Sequence, residues 1–180
     1  MDQTPGIHGE RSLSPEGFHE RRAGRAIVID PDLRVLMIRG VDPADTDRGG
    51  FLWTPGGGVD TGEDAAGATR RELWEEVGLR VHDLGPVVLE RIGEFPFDGR
   101  LIRQTEQFFH VIVDADFHPE PTHRSELEEK AIVSIEWLTP AELRNSPAPF
   151  YPWCLADLVE HIDRNGLPNT PWIEQQRLND

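Results

Sequence analysis

The stretch at residues 57–79, which reads GGVDTGEDAAGATRRELWEEVGL, constrains this chain more than any other part of it. It places Glu72, Glu75 and Glu76 at positions i, i+3 and i+4, and residues at these spacings are neighbours on one face of a helix. Three carboxylates on one face repel one another unless a cation lies between them. A hard divalent cation such as Mg²⁺ takes oxygen ligands of this kind and leaves room for water and phosphate. The stretch therefore predicts a helix with a metal-binding face.

Glutamates at this spacing are, by themselves, usually a solvated helix face, and short patterns often match by chance. Here the sequence matches a longer pattern. It consists of Gly, five residues, Glu, seven residues, Arg-Glu, an apolar residue, any residue, Glu-Glu, any residue, Gly and an apolar residue. Its specified positions are Gly57, Glu63, Arg71, Glu72, Leu73, Glu75, Glu76, Gly78 and Leu79. A chance match to all of them is on the order of one in a million. The stretch closely resembles the Nudix box, the signature of the Nudix hydrolases.

This resemblance implies a fold and an activity. The implied fold is an α/β/α sandwich with a mixed sheet, in which the box forms a loop–helix–loop; the residue pattern alone supports only an α/β or α+β protein. The implied activity is a Mg²⁺-dependent pyrophosphohydrolase, with Mn²⁺ as an alternative ion. Its substrate would be a nucleoside diphosphate linked to another group: a nucleotide sugar, ADP-ribose, a dinucleoside polyphosphate or a nucleoside triphosphate.

The resemblance also assigns roles within the box. The metal ligands would be three side chains and one backbone carbonyl, those of Glu72, Glu75, Glu76 and Gly57. Arg71 has two interpretations, because it can pair with Glu75 one turn away or reach back to Glu63. In either case Arg71 would orient the carboxylates that bind the metal.

The group that activates the attacking water is not fixed by the box. In the family it is either a box glutamate or a glutamate from a later loop. Glu72 is the first candidate, and the acidic loop predicted at residues 114–130 supplies Glu126, Glu128 and Glu129. Among these three we rank Glu129 and Glu126 highest. The predicted catalytic residues are thus Glu72, Glu75, Glu76, Arg71 and Glu129.

Residues outside the box give weaker indications of substrate contacts. Phe51 and Trp53 precede the box and either stack on a base or pack in the core, with packing favoured for Trp53. Arg25 and Arg39 are candidates for phosphate binding. A second metal site is only weakly indicated by two loop histidines, His118 and His123.

Three other functions compete within the same resemblance. A nucleotide-sensing binding module without activity usually lacks box carboxylates, and this chain keeps all of them. An isoprenoid diphosphate isomerase relies on a cysteine, but Cys154 lies far from the box in sequence. RNA cap removal is disfavoured by the net charge of −15, which opposes binding to nucleic acids and anionic membranes.

The composition predicts one globular unit, because 37% of the 180 residues are hydrophobic. We expect a flexible arm at residues 1–20 and a single domain at residues 21–180. The lack of an apolar leader or long apolar run, together with a single cysteine, favours a cytoplasmic protein. We expect a small-molecule nucleotide as partner, with no nucleic acid and no membrane, and a homodimer that uses the C-terminal helix as one interface.

The apolar pattern predicts six strands, at residues 25–30, 35–38, 51–54, 87–92, 104–113 and 132–138. The box helix is expected to begin after Asp64 as N-cap and to end at Gly78. A short helix is predicted from Pro140 and an amphipathic helix at residues 152–164. The segments predicted to be irregular are residues 41–50, residues 114–130 and the tail after Gly166.

Overall fold

The computed structural model describes residues 12–123 and 126–178. Its centre is a ten-stranded sheet. The strands are β1 (Ser12–Leu13), β2 (His19–Ile29), β3 (Val35–Gly40), β4 (Phe51–Trp53), β5 (Gly56–Gly58), β6 (Val87–Phe97), β7 (Arg100–Ile112), β8 (Ile132–Leu138), β9 (Phe150–Tyr151) and β10 (Trp172–Gln176). The helices are α1 (Ala65–Val77), α2 (Glu126–Ala131), α3 (Pro140–Arg144) and α4 (Leu155–Asn165).

Strand β2 organises the sheet. It runs parallel to β7 along its whole length, and β7 forms an antiparallel hairpin with β6. The main strand order is β10-β6-β7-β2-β3-β4-β9, while β1 and β5 pair with β2 and β8 pairs with β3. Because parallel and antiparallel pairs both occur, the sheet is mixed, as predicted.

Helices cover both faces of this sheet. Successive side chains of a strand point to opposite faces, and those of β2 are buried on both. One face packs against α1, through Ala26, Val28, Leu73 and Val77. The other face packs against α3 and α4, through Ile27, Ile29, Leu143, Leu155 and Leu158. The predicted α/β/α sandwich is therefore confirmed.

The box helix α1 begins and ends as the sequence predicts. The side chain of Asp64 accepts a hydrogen bond from the Gly67 N–H at 2.7 Å, and Gly78 ends the helix with a φ of 71°. Residue 24 in β2 must be glycine, because a Cβ there would come within 3.0 Å of the Ala65 carbonyl oxygen. The first turn of α1 therefore lies directly on the backbone of β2.

Several segments differ from the sequence prediction, among them β2, which begins at His19 and not at residue 25. Part of the predicted acidic loop forms α2, which leads directly into β8. The predicted helix at residues 152–164 begins only at Leu155, because the chain before it pairs with β4 as β9. The tail after Gly166 contains β10, which pairs in parallel with β6 and so extends the sheet.

The N-terminal segment can be compared with the structure only from residue 12. Residues 1–11 of the predicted arm lie outside the described residues, while Ser12 and Leu13 pair with Glu20 and His19 at the start of β2. The division into an arm at residues 1–20 and a domain at residues 21–180 stays a prediction. Within residues 12–123 and 126–178, we find no helix with the length and apolar character needed to cross a membrane.

Candidate active site

The box helix presents two buried glutamates to the glycine loop of β5. Glu72 and Glu76 are each only 4% exposed. One carboxylate oxygen of Glu76 accepts a hydrogen bond from the Gly56 N–H at 2.8 Å. A Cβ at residue 57 would come within 3.0 Å of the Glu72 carboxylate, so Gly57 allows the loop backbone to lie against that carboxylate.

A third carboxylate reaches this pair from a different element. Glu128, on α2, has a carboxylate oxygen that lies within 4.8 Å of oxygens from both Glu72 and Glu76. This is the only group of three potential metal-ligating side chains among the described residues. Helix α1 and the short helix before β8 therefore converge on one acidic cluster, defined here as Glu72, Glu76 and Glu128.

Burial makes the charges of this cluster costly. Desolvation raises the pKa of Glu72, although the neighbouring Arg71 opposes the shift. Desolvation, followed by repulsion from Glu72, raises the pKa of Glu76 well above its usual value. Buried carboxylates that lack enough positive charge favour a bound cation, and all-oxygen ligands are those that Mg²⁺ prefers. The donor set therefore fits the ion that the Nudix box implies.

Arg71 ties the box loop to the box helix. Its guanidinium donates to the carboxylates of Glu72 at 2.6 Å and Glu63 at 3.0 Å, and to the Gly58 carbonyl at 2.8 Å. It also contacts Glu75 at 3.4 Å. Both partners that the sequence offers for Arg71 are therefore in contact with it. The effect is to fix the orientation of the Glu72 carboxylate.

The remaining predicted site residues lie outside the acidic cluster. Glu75 is part of the Arg71 network, and its side chain is 32% exposed. On α2, Glu126 and Glu129 are exposed, whereas Glu128 is half-buried and faces the box. The sequence ranks Glu129 and Glu126 above Glu128 because it does not predict helix α2, which sets the direction of each side chain. The side chains of His118 and His123 are exposed and belong to no potential metal group among the described residues.

The acidic cluster opens into a cavity of about 460 Å³. Its walls combine the glycines of β5 with aromatic and charged side chains from β4, β6, β7 and β9. Pockets of about 300–1,000 Å³ accommodate small organic ligands and cofactors. The cavity is therefore large enough for an organic ligand of the size of a nucleotide.

A buried ion network forms part of the wall of this cavity. Glu106 of β7 pairs with Arg25 of β2 and with Arg91 of β6. Burial opposes its ionisation, but the two guanidinium groups lower the pKa of Glu106 to about 2. Arg25 also donates to the carbonyls of Thr54 and Gly56, each at 3.0 Å. The sequence suggests Arg25 as a phosphate contact. In the structure its guanidinium binds backbone carbonyls at the start of the box loop and so helps to hold that loop in place.

Two other residues singled out in the sequence have structural partners. Arg39 forms a two-bond ion pair with Glu136 on β8, across the paired strands β3 and β8. Cys154 is half-buried at the N-terminus of α4, and desolvation raises the pKa of its thiol. A thiol with a raised pKa stays protonated and is a poor nucleophile, which gives no support to the isomerase alternative.

The fold and the acidic cluster agree with the family comparison. The NUDIX domain family matches residues 19–154, more than half of the chain, and the protein belongs to this family. An RNA pyrophosphohydrolase from Dinoroseobacter shibae is 33% identical over 110 residues. That match covers 53% of this chain but only 64% of the relative, which is less than two thirds of its length.

Solved structures show the same fold at low sequence identity. A MutT protein from Methanosarcina mazei Go1 has a TM-score of 0.57 and 19% identity, over 81% of this chain and 94% of that chain. A MutT NUDIX hydrolase from Burkholderia pseudomallei has a TM-score of 0.54 and 18% identity, over 79% and 98% of the two chains. These structures support the fold, and the family match over residues 19–154 confirms the resemblance that the box suggests.

Proposed function

We propose that the protein is a Mg²⁺-dependent Nudix pyrophosphohydrolase that cleaves a diphosphate bond in a nucleoside diphosphate linked to another group. One observation supports this proposal: the cluster of Glu72, Glu76 and Glu128 lies in the wall of a nucleotide-sized cavity. When bound there, Mg²⁺ would neutralise charge on the diphosphate and lower the pKa of a bound water. Mn²⁺ has the same ligand preference and is the alternative ion.

Different residues of the chain would bind the ion and orient its ligands. Glu72 and Glu76 would hold the ion, and the resemblance adds Glu75 and the carbonyl of Gly57 as further ligands. Arg71 would keep the carboxylates in place, since it contacts Glu72 and Glu75.

Glu128 is our candidate for the group that accepts a proton from the attacking water. It reaches the cluster from α2 and not from the box helix, so it approaches the cavity from a different side. Its half-buried side chain keeps it within reach of both the cluster and water in the cavity. A general base at such a position contributes about 10²–10⁴-fold to the rate.

Two substrate classes are in competition. The leading class is a small nucleotide, because the net charge of −15 repels long polyanions. The name of the RNA pyrophosphohydrolase relative supports a second class, the 5′-terminal di- or triphosphate of an RNA. Both classes present a diphosphate, so the same acidic cluster would serve either of them.

A substrate panel tests the proposed activity. The purified chain is mixed with Mg²⁺ and with nucleotide sugars, ADP-ribose, dinucleoside polyphosphates, nucleoside triphosphates and a 5′-triphosphorylated RNA oligonucleotide. We expect phosphate, pyrophosphate or a nucleoside monophosphate from at least one small nucleotide, and no product after addition of EDTA. Nucleotide binding without turnover across the whole panel would instead support the sensing-module alternative.

Three glutamine variants test the assignment of roles. Glu76→Gln should lower kcat by about 100-fold or more, while the fold stays intact because the substitution keeps the shape and removes a costly buried charge. Glu128→Gln should lower kcat by about 10²–10⁴-fold, and Glu129→Gln by less than about threefold, the level of a surface change. A larger loss in Glu129→Gln than in Glu128→Gln would favour the ranking that the sequence gives. Thermal melts of all three variants provide the control for folding.

We also propose a cytoplasmic location and a homodimer, both of which stay predictions from the sequence. Light scattering after size-exclusion chromatography would measure the mass of the particle directly. A monomer at micromolar concentration would contradict the expected homodimer.

A further inference from the structure

Four aromatic rings line the cavity beside the acidic cluster. We call them the aromatic wall, and they are Phe51, Trp53, Tyr151 and Trp153. The rings form a connected row: Phe51 lies 5.0 Å from Trp53 and 6.3 Å from Tyr151, and Tyr151 lies 6.2 Å from Trp153, measured between ring centroids. The row begins at strand β4, immediately before the box loop, and ends at Trp153.

The outer end of this wall is unusually accessible. Trp153 is 44% exposed, while the other three rings are half-buried. An exposed indole next to three half-buried rings presents a continuous aromatic face to the cavity, on which a flat ligand can stack. The guanidinium of Arg91 lies 5.5 Å from the Tyr151 ring, so the wall also faces a positive group.

The rings are held in place by the strands behind them. Trp53 and Tyr151 are paired residues in the parallel pair β4 and β9. Glu174 of β10 accepts hydrogen bonds from the Arg91 side chain at 2.7 Å and from the Cys154 N–H at 2.8 Å. This second bond fixes the backbone directly after Trp153. Because the aromatic wall is ordered before a ligand binds, binding costs it little conformational entropy.

Strand β10 lies beyond the part of the chain that the family comparison matches, residues 19–154. Glu174, which holds the backbone directly after Trp153, therefore lies in an element outside the matched residues. Strand β10 is an edge strand, and its parallel pairing with β6 brings Glu174 opposite Arg91. The chain thus uses its C-terminal strand to shape one end of the cavity.

We propose that the aromatic wall is the subsite that stacks the nucleobase of the substrate, with Trp153 as its outermost contact. The inference rests on the proposed function, since it places the phosphates at the acidic cluster and the base on the aromatic wall of the same cavity. Stacking on aromatic rings is tolerant of base identity, because every base has a π-face. Trp153 would therefore select for the presence of a base and not for one particular base.

The test compares ligands that differ only in the base. Isothermal titration calorimetry without metal measures the affinities of AMP, GMP, CMP and UMP, and of ribose 5-phosphate, which lacks a base. We expect the wild type to bind at least one of the monophosphates about tenfold or more tightly than ribose 5-phosphate. Trp153→Ala should weaken binding of that monophosphate by about 5- to 150-fold, the range that base–aromatic stacking gives, and should leave ribose 5-phosphate unchanged.

Two further variants make the result specific. Trp153→Phe keeps an aromatic face and should retain most of the preference for a base. Ile173→Ala removes another exposed apolar side chain, which lies on β10. It should change neither the affinity for the monophosphate nor that for ribose 5-phosphate.

The inference is overturned by equal affinities of the wild type for all the ligands, by undetectable binding of all of them, or by an equal loss for both ligand types in Trp153→Ala. The proposed function fails separately, if the Mg²⁺-loaded wild type hydrolyses no member of the substrate panel while the preference for a base persists.

Discussion

Replacing Glu106 with Gln tests the buried ion network that joins three strands. The Glu106 side chain is 2% exposed, and its partners Arg91 and Arg25 are 4% and 12% exposed. The substitution keeps the shape of the side chain and removes its charge. Two guanidinium groups would then lie in the interior without their shared carboxylate.

The structure gives the size of the expected effect in two ways. The paired arginines lower the pKa of Glu106 from 4.5 to about 2, and about 1.4 kcal/mol per pKa unit makes this about 3 kcal/mol. Independently, removing one partner of a buried ion pair costs about 3–5 kcal/mol. We therefore expect Glu106→Gln to lower the free energy of unfolding by about 3 kcal/mol at pH 7.

The effect should depend on pH with a defined sign. Because the pKa of Glu106 is lower in the folded than in the unfolded protein, the stabilisation is complete above about pH 4.5 and is lost as the pH falls towards 2. By pH 3 about 2 kcal/mol of it should be gone. The difference in stability between wild type and variant should then be only about 1 kcal/mol.

Urea denaturation, followed by circular dichroism at pH 7 and pH 3, measures both differences. Glu90→Gln serves as the matched control, since Glu90 is an exposed carboxylate on the neighbouring strand β6, and it should change stability by less than about 0.5 kcal/mol. The reasoning is refuted if Glu106→Gln is as stable as the wild type, or if its deficit is the same at both pH values.

Two further substitutions test the packing and capping described above. Gly24→Ala should destabilise the protein by about 1–3 kcal/mol or more, because the new Cβ would collide with the Ala65 carbonyl; an unchanged urea midpoint would show that α1 does not lie on β2 as described. Thr139→Ala removes the capping box of α3, in which Thr139 and Glu142 satisfy each other's backbone N–H groups. It should cost about 1 kcal/mol, and a melting temperature equal to that of the wild type would contradict this.

The sequence predicts local features of this protein well. The ends of α1 depend on Asp64 and Gly78, whose conformational preferences act within one turn of the chain. The second half of β2 and strands β3 and β8 are apolar or alternating runs, which periodicity identifies directly. The box itself is a contiguous pattern, so the order of residues is enough to locate its glutamates.

Features that depend on distant contacts could not be predicted in the same way. Glu128 and Glu129 are adjacent and chemically identical, and only the orientation of α2 distinguishes the half-buried one from the exposed one. Strand β10 is only five residues long, and it forms where β6 offers an edge for pairing. The sequence suggests Arg25 as a phosphate contact, and its pairing with Glu106, 81 positions later, is visible only in the structure.

The parallel pairing of β2 with β7 has a consequence for how the chain reaches its folded state. Residues as far apart as Arg21 and Gln104, which are separated by 83 positions, must meet before the sheet can close. Contacts between such distant segments are slow to form, because loop entropy is lost before the pairing contributes stability. During synthesis, the glycine loop and the box helix therefore leave the ribosome long before the strands that complete the cavity, and the cavity closes only with the last third of the polypeptide.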